Sequence, residues 1–177
     1  MTEFDYRLLR RLRAWTLVFI IGLLISGATA IPLNTELNWL VNWSGAERMV
    51  LQSESTNAPG WAAWLVNVRD GLRETNRKHP FIGYAFDWLA FGHFVIAIAF
   101  IGAWRDPVRN RWLYDFGLIA CALVIPYALV CGAARGIPPG WRMIDCSFGV
   151  FGAVPLWLCR KLAIALETRP AGAIPGK

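Results

Sequence analysis

The chain has 177 residues, 56% of them hydrophobic, with ten tryptophans and a formal net charge of +6. Its apolar residues stand in runs too long for a soluble domain of this size, which excludes that class. The basic residues gather at the flanks of those runs, a pattern that membrane topology explains better than a nucleic-acid partner.

Residues 1–13 read as a short basic amphipathic helix, with Phe4, Leu8 and Leu12 on one face and Arg7, Arg10, Arg11 and Arg13 around it. We take it as a cytoplasmic flank that sets topology. The apolar run 14–33 follows, long enough to cross a hydrocarbon core of about 30 Å as a helix. Its basic start, apolar centre and the triplet Ala28-Thr29-Ala30 also fit a secretory leader. Gly22, Ser26 and Ala30, however, form a small-residue face suited to close helix packing, and we read the run as a retained first span.

Pro32 and Asn34 break that span, and a loop over 34–80 follows. Leu37, Leu40 and Val41 share one helical face, with Trp39 and Trp43 nearby. Trp61, Trp64, Leu65, Val68 and Leu72 repeat the pattern at i, i+3, i+4, i+7, i+11, the spacing of a half-buried helix. A polar, turn-rich link over 52–60 joins them. The loop is therefore expected to form two amphipathic helices, lying at the headgroup level or packed as a cap on the span ends.

Three more apolar runs cover 81–104, 112–134 and 143–159. The last is prolonged past Arg160 and Lys161 by residues 162–165, because long basic side chains near a helix end can reach the interface. Asp106 and Pro107 form an N-cap and N1 pair, which predicts that the third span begins there. The segment "RGIPPGW" predicts a tight turn between spans three and four, and the tail 169–177 is expected to be disordered. In lipid, backbone polar groups must pair within the chain, so these spans are helices. The fold class is all-α: a four-span membrane bundle over 14–168 with an outer helical cap. Arg105, Arg109, Arg111, Arg160 and Lys161 lie on the same side as the N-terminal arginines. This places both termini in the cytoplasm, with the bacterial inner membrane as the expected location. Arg69, Arg73, Arg77 and Lys78, just before span two, argue against that orientation.

Ionisable residues inside the spans are the candidate site, because such groups are expensive in lipid and are by default functional. Depth counted from the turns puts Asp87, Arg135, Arg142 and Asp145 in the outer part of the membrane. Tyr84 lies one turn above Asp87, and His93 lies two turns below it. Asp145 is expected to pair with Arg142, three residues away on one helix. Asp145, Gly149, Gly152, Leu156 and Cys159 fall on one stripe, in which the glycines admit another backbone or leave room for a ligand. Pro126 and Pro155 lie within helices three and four, where each frees a carbonyl. Structural pairing and packing account for this cluster better than catalysis by Asp87, Asp145 or His93 does.

His93 alone does not make a haem site, which wants two axial histidines, and a hydrogen bond to a neighbouring carbonyl is its expected role. A proton relay or quinone contact needs only one histidine and one acid. No cofactor is expected, and no compact set of zinc ligands is present. The four cysteines form no CxxC motif. Cys131 and Cys146 are symmetric about a turn, and we read them as small packing residues. In topology alone the chain is similar to lipoprotein signal peptidases, which implies Asp87 and Asp145 as a catalytic dyad. That family's Asn-x-x-Asp-Arg motif has no counterpart in "RGIPPGWRMIDCSFG", so no family is assigned. Small size, small-residue faces and the lack of a complete catalytic motif favour a non-enzymatic membrane subunit, whose partners are the bilayer and other membrane chains or further copies of itself. The alternative is an outer-leaflet site for hydrolysis, proton relay or quinone contact.

Overall fold

The computed structural model describes residues 3–53 and 58–168. The tail 169–177 and the centre of the polar link, 54–57, lie outside the described residues. In chain order the elements are α1 (Glu3–Ala30), α2 (Leu33–Ser44), α3 (Ala46–Gln52), α4 (Gly60–Lys78), a 3₁₀ turn (Pro80–Gly83), α5 (Tyr84–Arg105), α6 (Arg111–Ala134) and α7 (Pro139–Glu167). No strand occurs among the described residues. Four of these helical segments, α1, the 3₁₀ turn with α5, α6 and α7, are long and apolar enough to cross a membrane. Large apolar side chains stand outward along all four, among them Ile25, Ile98, Val130 and Phe148, exposed by 59%, 64%, 68% and 65%. Water would not tolerate that much exposed apolar surface, and a bilayer requires it. The protein is an all-α polytopic membrane protein.

Helix ends follow local chemistry. The basic flank is not a separate element, since α1 runs unbroken from Glu3 through the first span. Pro32 ends α1 and α2 starts at once. The third span starts at Arg111, later than the Asp106-Pro107 pair implies. Asp106 instead caps a short turn, its Oδ1 accepting from the Arg109 N–H at 3.2 Å. Between α6 and α7, Gly136 has φ +70°. The Ile137 N–H donates to the Gly132 carbonyl at 2.9 Å and the Gly136 N–H to that of Ala133 at 3.0 Å. This is a Schellman ending, which needs a left-handed residue and hence favours glycine. Pro139 then opens α7 at a position where its missing N–H costs nothing.

The chain divides into two compact units. One comprises residues 1–23 and 96–177, and the other residues 24–95. The first unit is built from the N-terminal part of α1, the C-terminal part of α5, and α6 and α7. Its core contains Leu12, Phe100, Tyr114, Leu156, Cys159 and Ala163, all fully buried. Gly149 makes this packing possible, because a Cβ there would stand 2.5 Å from both the Cys121 carbonyl oxygen and Val124 Cγ1. The second unit holds the end of α1, α2 to α4 and the start of α5. Val41, Ala46, Ala62 and Leu65 form its small cap core. Of that core, Val41 and Leu65 come from the two amphipathic faces read from sequence. Ala46 belongs to α3, a third helix where two were expected. Trp61 is exposed, and Trp39 and Trp43 stack on each other on the exposed side, 5.8 Å apart.

Candidate functional site

In the second unit a recess of 470 Å³ opens where α1 ends and α5 begins. Its volume lies within the range of about 300–1,000 Å³ typical of ligand pockets. Ile31, Leu33, Leu72, Pro80, Ile82 and Phe86 make its apolar wall. Asn34, Thr75, Asn76, Tyr84 and Asp87 bring polar groups to it. Each comes from a different local cause. Pro32 turns the chain so that Asn34 enters at the first turn of α2. Thr75 and Asn76 lie on the last turns of α4. The 3₁₀ turn led by Pro80 swings the backbone so that α5 starts with Tyr84 and Asp87 one turn apart.

None of these five polar side chains hydrogen-bonds to another described residue of its unit. Asp87 lines the recess, is exposed and forms no ion pair within its unit. Three of the four basic residues of α4 are engaged elsewhere, and Arg77 is exposed on its last turn. Arg69 is buried and donates to Glu47 at 3.0 Å and to Asp70 at 2.8 Å. Arg73 donates to Asn38, and Lys78 pairs with Glu74. The hydrogen bond and charge of Arg69 hold the Glu47 carboxyl below its ordinary value of 4.5. The Arg69 guanidinium is in turn held further up by hydrogen bonds to Glu47 and Asp70. In sequence Arg69 is one of a basic group before span two, whereas the structure makes it the polar centre of the cap.

Tyr84 and Asp87 are the members of the sequence-derived cluster that share the recess. The ring of Tyr84 meets Trp88 edge to face, 5.9 Å between centroids. His93 is not in the wall. Its Nδ1 lies 2.8 Å from the Leu89 carbonyl oxygen, which can only accept, so Nδ1 carries the proton. The expected carbonyl partner is thus found. Gly27 of α1 packs on this segment, where an added Cβ would come 3.1 Å from the Ala90 carbonyl oxygen and from His93 Cβ.

Arg135, Arg142 and Asp145 belong to the first unit. Arg142 lays its aliphatic stem over Gly132 and donates to the Leu129 carbonyl at 3.3 Å, with its Nε buried and unpartnered. It forms no ion pair with Asp145, contrary to expectation. Asp145 and Arg135 are both exposed. The buried stripe of α7 runs through Cys146, Gly149, Leu156 and Cys159, so it excludes Asp145 by one position. A small apolar thiol fills that buried place without the cost of an unpaired charge. Cys131 and Cys146 are both free thiols.

A second polar group escaped sequence reasoning. The Tyr114 hydroxyl lies 2.8 Å from Thr16 Oγ1 and 3.3 Å from the Ala103 carbonyl oxygen. Thr16 donates to the Leu12 carbonyl at 3.0 Å, and Cys159 Sγ stands 3.5 Å from Thr16 Oγ1. Pro107 explains the need. It lacks the N–H that would serve Ala103, so the tyrosine serves it. Arg13 donates to the Trp104 and Arg105 carbonyls, each at 3.1 Å, and Asn110 donates to that of Gly102, also at 3.1 Å. The end of α5 is thereby closed by side chains from α1, from α6 and from Asn110 just before α6. The signal available in sequence was Thr16 and Tyr114 as hydrogen-bonding residues inside apolar spans.

Arg160 pairs with Asp115 and Arg111 with Glu167, while Lys161 lies over the Trp157 ring. These contacts let α7 continue past its two basic residues. The chain matches no family model, no curated protein and no solved structure.

Proposed function

We propose that this integral membrane protein binds a small amphiphile from the outer leaflet in the recess around Asp87 and Tyr84, and that it does so without catalysis. The observation that carries the reading is the convergence of five unengaged polar side chains in one recess at the end of two spans. Asn76, Tyr84 and Asp87 are exposed and Asn34 and Thr75 part-buried, so all five are open to a ligand that enters the recess. A few convergent polar groups on an apolar wall are what a binding pocket uses. The wall holds one carboxylate, whereas hydrolysis by an acid pair needs two. The basic flanks support cytoplasmic termini and a location in the bacterial inner membrane, which puts the recess outside.

Gly83 provides the test. It lines the recess, and a Cβ there meets only Asn76 Oδ1, at 3.8 Å. Gly83→Leu should fill the space without unfolding the chain. Protein purified in mild detergent should carry about one non-covalent amphiphile per chain by native mass spectrometry, and the variant should lose it. An identical complement in both would contradict the reading. Cysteines at Thr35 and Ser53 should react with an impermeant reagent in intact cells, and labelling only after lysis would reverse the orientation.

A subunit role is the second reading, favoured by one difference between the two glycine stripes. Gly149 and Gly152 are used within the chain, against Cys121, Val124 and Phe19. Gly22 has nothing within 4 Å of a Cβ added there, and Ser26 beside it on the same face is exposed. Such a face admits another helix closely. Ser26→Leu should then shift the protein to a smaller species on a blue-native gel, and an unchanged mobility would remove this reading.

A further inference from the structure

We infer that the group bound in the recess is an ammonium, carried by the headgroup of an amine-bearing lipid. This rests on the recess reading above and names its ligand class.

Charge and surface both point this way. Of the residues lining the recess, Asp87 is the sole formally charged one, so the wall carries one negative charge. Asp87 forms no ion pair within the unit: Arg69, Arg73 and Lys78 are held by Glu47 and Asp70, by Asn38, and by Glu74, and Arg77, exposed on the last turn of α4, does not pair with it. Asn34, Asn76, Thr75 and Tyr84 add oxygen acceptors, which an ammonium with three N–H donors can use. Tyr84 also brings an aromatic ring, and ring faces attract cations. An anionic headgroup would meet like charge here, and an uncharged one would leave the carboxylate desolvated and unpaired. The lipid source follows from the rest of the wall. Ile31, Leu33, Leu72, Ile82 and Phe86 offer apolar contact continuous with two span ends. A soluble amine has no use for that surface.

The test uses the full-length protein in detergent micelles, titrated with lipids of identical chains and different headgroups, with bound lipid counted by native mass spectrometry. An ethanolamine-headgroup lipid should bind at least tenfold more tightly than a glycerol-headgroup lipid. Asp87→Asn should remove that preference, while Glu36→Gln, a carboxylate outside the recess, should keep it. Soluble ethanolamine should fail to displace the lipid at millimolar concentration. If it displaces the lipid, the ammonium site stands and its source is a free amine. Equal or tighter binding of the glycerol-headgroup lipid, or full preference in Asp87→Asn, overturns the inference. Gly83→Leu separates the two levels of failure. Headgroup-indifferent binding that Gly83→Leu abolishes sinks the ammonium alone, whereas binding that survives Gly83→Leu sinks the recess as well.

Discussion

Two sets of polar groups, one in each unit of this chain, are treated in opposite ways. In the unit formed by residues 1–23 and 96–177, the buried hydroxyls of Thr16 and Tyr114 and the last carbonyls of α5 find partners inside the protein. In the unit formed by residues 24–95, Asn34, Thr75, Asn76, Tyr84 and Asp87 share a recess and bond to no other described residue of that unit. The first pattern is what a membrane demands of a scaffold, where each unmet polar group costs several kcal/mol. The second pattern is tolerable at the water-facing end of a span and is useful only if something else meets those groups. The bonded groups of the first set hold the scaffold together, and the recess groups are the ones the proposed binding would use.

Substitutions should separate these roles, and the largest effect is expected at Gly149. With backbone 2.5 Å from an added Cβ, Gly149→Leu should force α6 and α7 apart and cost about 3 kcal/mol or more in detergent unfolding. A midpoint equal to that of the parent would show that the helices do not meet there. Next comes Tyr114→Phe, which strands the Ala103 carbonyl. A loss of about 1–2 kcal/mol is expected, because a buried acceptor is left unmet. Restoring an N–H by Pro107→Ala in the same chain should recover part of it.

A smaller and pH-dependent effect is expected for Glu47→Gln. The folded-state pKa of Glu47 is depressed, so its contribution is present above the ordinary value of 4.5 and is lost as the pH falls through the lower folded value. Parent and variant should differ in cap protection from amide exchange at neutral pH and converge in acid. Parallel curves at every pH would detach Glu47 from Arg69. The smallest effect belongs to Asp87→Asn, which should leave stability within about 0.5 kcal/mol, as expected of a change that breaks no internal partner. A large loss there would move Asp87 into the scaffold.

Much of this was legible in the sequence, because hydropathy over twenty-residue windows reports the one constraint a bilayer imposes. The four spans, the amphipathic cap, the α6–α7 turn and the carbonyl bond of His93 follow from period and local chemistry. Boundaries were less legible. Asp106-Pro107 has the chemistry of a helix start, yet Asn110 and Tyr114 reach back to serve the carbonyls of α5, and the start moves to Arg111. The site was half legible. Asp87 and Tyr84 stand out as polar residues in an apolar run, but Asn34, Thr75 and Asn76 look like the solvated face of an amphipathic helix. Only the turns at Pro32 and Pro80 bring them to Asp87. The expected Arg142–Asp145 pair failed for a related reason. Positions 145 and 146 differ by about 100° on a helix, and the small-residue pattern alone does not say which of the two faces the core.

The contrast between the two units is tested most directly by photo-crosslinking in native membranes. A benzophenone amino acid would replace Tyr84, at the recess, and in a separate variant Phe148, on the outward face of α7. The expected result is one discrete lipid-sized adduct from position 84, dominated by a single headgroup class, and a mixture reflecting bulk lipid from position 148. The same mixture at both positions would contradict the assignment of the recess to binding.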